Sequence, residues 1–131
     1  MKQQSSDHPH GLDISVITVP HNQQQYDTVG NWSIENEMDW VVSVSRMSDW
    51  RHEFLVAVHE IIEMGLCKHA GVTTDEVTRF DSQFQGEGEP GDDPKAPYVK
   101  QHNIATAVER ILAGMLDIKW TEYEDAIRKL A

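Results

Sequence analysis

The segment Asp49–Gly71, DWRHEFLVAVHEIIEMGLCKHAG, brings His59, Glu60 and Glu63 together in one short stretch. An α-helix turns about 100° per residue, so positions four apart share a face. His59 and Glu63 therefore point one way, with His52 near the same line two turns earlier and Glu60 to one side. Imidazole nitrogen and carboxylate oxygen both bind zinc, and two such groups one turn apart reach a single ion from the same side. A third ligand has to come from elsewhere in the fold. His102 is the candidate: it opens the next substantial helical pattern, where a loop and return can carry it across from His59. The predicted metal ligands are thus His59, Glu63 and His102, with zinc as the expected cofactor. Glu60, just outside that set, is the predicted catalytic residue, a general base that takes a proton from water activated by the ion.

Other groups border this constellation. Glu109 shares a face with His102 and can either replace it or support a ligand from outside. His52 is stretched as a fourth ligand, and Asp81 is placed to orient a histidine by accepting its N–H. His69, at the end of its helix, is better explained as a cation favoured by the helix dipole. The same polar face has a second reading, in which its groups hydrogen-bond to one another and hold no ion. Cys67 is the only cysteine. Neither an internal disulfide nor a thiolate zinc cluster is then possible, and Cys67 reads as a small buried apolar residue. The chain has no G-x-S-x-G, no phosphate-cradling glycine loop and no paired Glu-x-x-His of a ferritin-like di-iron centre.

The elements that must position these side chains follow from periodicity. Leu12–Val19 alternates and is β-branched, Tyr26–Ile34 forms a second strand with Gly30-Asn31 as a turn or bulge, and Met38–Met47 is the strongest strand. Three strands so close in sequence suggest a mainly antiparallel meander. The long helix is capped by Ser48 or Asp49 and closed by Gly71, with Leu55, Val58, Ile62 and Leu66 as its apolar stripe. Thr73 and Glu76 form a capping box for a short helix from Thr74 to about Phe80. Residues 86–97, GEGEPGDDPKAP, read as a solvated acidic loop that only loosely resembles a calcium site. Tyr98–Met115 is a helix whose apolar stripe is Ile104, Val108, Ile111, Leu112 and Met115. Beside that stripe runs another of His102, Ala105 or Thr106, and Glu109. A second capping box, Thr121 with Glu124, starts a terminal helix through Leu130, with Trp120 as a staple before it.

The 131 residues suit one domain, and a hydrophobic fraction of 39% with 25% charged residues is that of a soluble globular chain. The expected organisation is a flexible tail over residues 1–11, carrying His8 and His10, followed by one α+β domain over 12–131. That domain is a small, mainly antiparallel sheet of about three strands on a long central helix, with two to three further helices. A formal charge of −11, from 11 Lys and Arg against 22 acids, argues against nucleic acid as a direct partner. No apolar run approaches the ~20 residues of a membrane span. The polar N-terminus lacks the apolar core of a secretory signal, so the chain is expected to remain in the cytoplasm.

With these residues in view, the layout resembles the zincin metallopeptidases, in which a small sheet packs on a helix carrying His-Glu-x-x-His. His59-Glu60-Ile61-Ile62-Glu63 matches that motif except at Glu63, where the family has its second histidine. The resemblance spans roughly residues 12–115 in layout, but its specific part is five residues. It implies a zinc-dependent peptidase acting on a protein or peptide, with the third ligand, His102, exchanged in type for the glutamate of the gluzincins. Glutamate at 63 adds negative charge, which makes bound water less acidic and puts catalysis in doubt. The HEIIEMGLCKHAGV and APYVKQHNIATAVER segments also resemble small bacteriophage or prophage proteins, which implies a bacterial or phage-infected host. The alternative function is a non-catalytic, phage-encoded interaction protein on the same type of scaffold.

Overall fold

The computed structural model describes residues 11–130. Most of the expected tail, with His8 and His10, lies outside the described residues. Strands β1 (Ile14–Val19), β2 (Gly30–Glu35) and β3 (Asp39–Ser45) form one sheet in the order β1-β3-β2. The α+β expectation is met, with the sheet mixed rather than a meander. β3 lies in the centre, antiparallel to β2 (Trp32 opposite Val42) and parallel to β1 (Val16 opposite Val42). β3 takes the middle position, where Val42 and Val44 are fully covered, while Val16 and Ile17 of β1 remain about half exposed. The β2–β3 turn uses positive φ at Asn36 (55°) and Glu37 (63°), and Met38 N–H donates to Glu35 O at 3.1 Å. Two successive positive φ angles match the right-handed twist of the flanking strands.

Helix α1 (Trp50–Ala70) crosses this sheet. Asp49 caps it by accepting from Arg51 N–H, and Gly71 ends it with φ of 80°. Gly30, expected as a turn or bulge, is instead the first residue of β2. A Cβ there would lie 2.6 Å from Val56 Cγ1 and 2.9 Å from Glu60 Cγ, so its role is close approach of strand to helix. Trp32, Val42 and Val44 from the sheet meet Leu55, Val56, Met64 and Cys67 in one apolar cluster. Helix α2 (Thr74–Gln83) starts with the expected Thr73–Glu76 capping box and runs past Phe80. Helices α3 (Val99–Met115) and α4 (Trp120–Arg128) complete the chain. The capping box expected at Thr121 does not form: α4 begins two residues earlier, after Lys119, without a side-chain cap. Trp120 packs inside that first turn, edge-on to Tyr123 at 5.3 Å and beneath the Arg110 guanidinium at 4.4 Å.

The helix faces differ most from expectation. On α3 three members of the anticipated core stripe are turned outward, Ile104 54%, Ile111 67% and Met115 78% exposed, while Val108 is half-buried and Leu112 packs against the core. His102, Ala105, Glu109 and Ala113 are buried in their place. On α1, His59, Glu60 and Glu63 go inside with Leu55 and Met64, while Leu66 is exposed. Small Ala105 and Ala113 let the two helices approach, and the ionisable groups find partners on each other. α3 runs antiparallel to α1, as the contacts Arg51 Nη1 to Leu116 O and Glu63 to His102 require. Among the described residues, no helix is long and apolar enough to cross a membrane.

Candidate metal centre

Two helices deliver three atoms to one point. His59 Nε2 lies 3.2 Å from Glu63 Oε2 and 3.2 Å from His102 Nδ1, and His102 Nδ1 lies 3.0 Å from Glu63 Oε2. His59 and Glu63 meet because they are one turn apart on α1; His102 arrives from the first turns of α3. Atoms bound to one tetrahedral zinc at bond lengths of ~2.0–2.1 Å are roughly 3.3–3.4 Å apart. The observed triangle is smaller than that by only a few tenths of an ångström, so the donor set fits a zinc ion in size and in ligand type. All three residues predicted as ligands therefore share one cluster.

The atoms facing away from the triangle are also held. Glu109 Oε1 lies 2.7 Å from His59 Nδ1, so Glu109 backs His59 from outside the triangle and does not take the place of His102. Trp32 Nε1–H donates to Glu63 Oε1 at 2.9 Å, which leaves Oε2 for the cluster. On the far side of His102, Nε2 lies 3.1 Å from Asp92 Oδ1 and 3.4 Å from Glu89 Oε1. That nitrogen is nevertheless buried and without a well-directed hydrogen bond among the described residues. A carboxylate behind a ligating imidazole fixes its orientation and raises its basicity, as commonly found around bound metals.

The charges in this seam are strongly coupled. Burial disfavours ionised Glu63, but hydrogen bonds from His102 and His59 outweigh it and hold the carboxyl down at about 2. Burial likewise disfavours charged His59, yet its hydrogen bonds to Glu109 and Glu63 raise it to about 11. Glu60 goes the other way. Burial first, then the neighbouring Glu63 charge, pushes its carboxyl well above the usual range. It has no side-chain hydrogen bond among the described residues and lines the cleft beside the triangle. A carboxyl group with a raised pKa at the wall of a cleft is suited in position to exchange a proton with a bound molecule.

The cleft has a volume of about 630 Å³, and its charged lining is mostly acidic: Asp27, Glu60, Glu63, Glu87, Glu89 and Asp92 are among it. Sequence reasoning missed the part played by the loop. The residues taken as a solvated acidic stretch fold over α3 through a 3-10 turn at Pro90–Asp92, and Gly91 rests on the His102 ring. A Cβ at Gly91 would lie 2.4 Å from His102 Nδ1, a distance no side chain tolerates. The available signal was Glu89-Pro90-Gly91-Asp92, two acids on either side of a tight turn that brings them together. Trp32 as a partner for Glu63 carried no sequence signal.

Two expected supporting roles fall elsewhere. Asp81 orients no histidine. It accepts from Tyr26 Oη at 2.8 Å and from Tyr98 Oη, tying α2 to both walls of the cleft. His52 lies against Tyr123, with ring centres 5.3 Å apart, and 3.9 Å from Asp49, outside the triangle. Its position about three turns before Glu63 is too far along the axis. His69 is exposed in the last turn of α1.

No protein-family model matches the chain, and no curated protein or solved structure is significantly similar to it.

Proposed function

We propose that this chain holds one divalent ion, zinc, between His59, Glu63 and His102, and hydrolyses an amide bond in a peptide or protein substrate with Glu60 as general base. The observation that carries this reading is the closed triangle of donor atoms, with a carboxylate behind each imidazole. An ion held there supplies Lewis acidity toward a carbonyl oxygen and makes water a usable nucleophile near neutral pH. Glu60 accepts and returns the proton at its cleft-facing carboxyl. Glu109 keeps His59 in the tautomer whose Nε2 faces the cluster, and Trp32 does the corresponding service for Glu63. The acidic lining selects for substrates bearing Lys or Arg and against anionic ones. The long helix with His-Glu-x-x-Glu on a small sheet supports a zincin-like scaffold. A cytoplasmic setting, in a bacterial cell or phage-infected host, follows from the sequence resemblance.

Elemental analysis of untagged protein after zinc reconstitution tests the reading. One zinc per chain in this cluster, lost in His59→Ala and kept in Glu60→Gln together with loss of turnover, is the expected result. No zinc bound after reconstitution would remove it. The exposed Ile104, Ile111 and Met115 favour a second reading, a non-catalytic interaction protein that uses the outer face of α3. Partner capture from bacterial lysate unaffected by chelator, by a chain that binds no zinc, would select that one.

A further inference from the structure

His102 has one nitrogen in the triangle and one left over. Its side chain is 5% exposed, and Nε2 is a buried atom without a hydrogen bond among the described residues. That atom is aimed at two carboxylates of the loop over α3, with Asp92 Oδ1 at 3.1 Å and Glu89 Oε1 at 3.4 Å. A polar atom left buried and unsatisfied is costly to the fold, so a partner for it is expected. Here one nitrogen and two oxygens converge within the span of a single coordination sphere.

We propose that Glu89, Asp92 and Nε2 of His102 form a second divalent-cation site, so that the His102 imidazole joins an inner ion on Nδ1 to an outer ion on Nε2. The bridging half of the proposal rests on the inner centre; the loop site itself does not. When the outer ion binds, Nε2 loses its proton to solvent, and the imidazole lies as a bridging anion between two cations. Glu87 and Asp93 add negative charge to the same loop and offset the second cation. The outer carboxylates are 59% and 63% exposed, so water completes that coordination sphere. Exposure and the shared ligand make the outer ion the weaker of the two. Its structural effect is to pin the loop, and with it Gly91, onto α3 above the cleft.

Zinc titration of the full chain, with bound metal counted after equilibrium dialysis, tests this. Two ions per chain are expected, the second at least about tenfold weaker. Glu89→Gln with Asp92→Asn should lose the weak ion and keep the tight one, and His59→Ala should do the reverse. Asp92→Asn alone, an isosteric change at an exposed group, serves if the double variant does not fold by circular dichroism. With Cu²⁺ in both positions, a bridged pair couples magnetically, and the spectrum of isolated copper should return in the loop variants. A single ion lost in His59→Ala and unaffected by the loop substitutions overturns the proposal and leaves the inner centre standing. A single ion lost only in the loop variants upholds the loop site and removes both the bridge and the inner centre.

Discussion

Helix α1 is buried on two sides by opposite chemistry. Toward the sheet it offers Val56, Met64 and Cys67 to Trp32, Val42 and Val44, a contact built from apolar area. Toward α3 it offers His59 and Glu63 to His102 and Glu109, a contact built from ionisable groups. The sheet side follows the usual energetics, in which each buried aliphatic side chain is worth about 1.5–3 kcal/mol. The α3 side does not. Taking ions out of water costs several kcal/mol each, and mutual attraction only roughly restores it. Ile104 and Ile111 would have covered α1 more cheaply, yet they face solvent. The contrast teaches that one seam holds the fold together by apolar area, while the other costs stability that the proposed ion would account for.

The sharpest way to break that contrast is to disturb the polar seam in two ways. In metal-free protein, Glu63→Leu alone should cost about 3–5 kcal/mol in urea unfolding, because it strands the buried imidazoles. Replacing His59, Glu63, His102 and Glu109 together by Leu should leave stability unchanged or raise it by about 1–4 kcal/mol while abolishing metal binding. A concerted replacement that loses as much as the single one would make the seam structural. On the sheet side no such rescue exists: Met64→Ala, at a fully buried position, should cost about 2–5 kcal/mol with or without zinc, checked by the same unfolding curves. Glu109→Gln is milder. It should weaken zinc about 10–100-fold by competition with a chelating dye, and should lower apo stability below about pH 6.5, where the His59–Glu109 pair contributes fully.

Proton linkage sharpens the comparison further. His59 is held near 11 in the folded chain against an ordinary 6.5, so the folded state keeps its proton more tightly. Its contribution to stability is full below about pH 6.5 and is lost as pH climbs toward 11. His102 and Glu60, also raised, act in the same direction over their own ranges. Glu63, lowered to about 2, contributes above about pH 4.5 and loses that contribution as pH falls through 2. The melting temperature of chelator-treated protein should therefore decline from pH 6.5 upward, and Glu109→Gln should flatten the decline. Zinc affinity should run the opposite way and rise with pH, since ligation displaces those protons.

What the sequence made legible was local. The cap at Asp49, the Gly71 stop, the Thr73–Glu76 box and the i, i+4 relation of His59 to Glu63 depend on neighbours along the chain, and the structure has them. The convergence of His102 could be inferred as well, because an isolated polar stripe on each of two helices has few other ways to be satisfied. The rest depended on tertiary contact. Apolar periodicity placed Leu112 correctly but put Ile104, Ile111 and Met115 inside as well, since Ala105 and Ala113 count little as hydrophobes but permit close packing around the paired ions. Strand order was not readable either, as β1 and β2 carry similar patterns and only competition for β3 decides who lies where. Gly30 and Gly91 read as loop punctuation, whereas both are required by what sits against them, Val56 and Glu60 in one case and His102 in the other.

The parallel register of β1 on β3 has a kinetic consequence. β2 and β3 can zip through a tight turn, and α1 follows β3 directly, so those three elements assemble by short closures. β1 must wait for the whole hairpin between it and its partner, and the entropy of that larger loop is recovered only on docking. The N-terminal strand should thus gain amide protection in pulse-labelled refolding after β2 and β3.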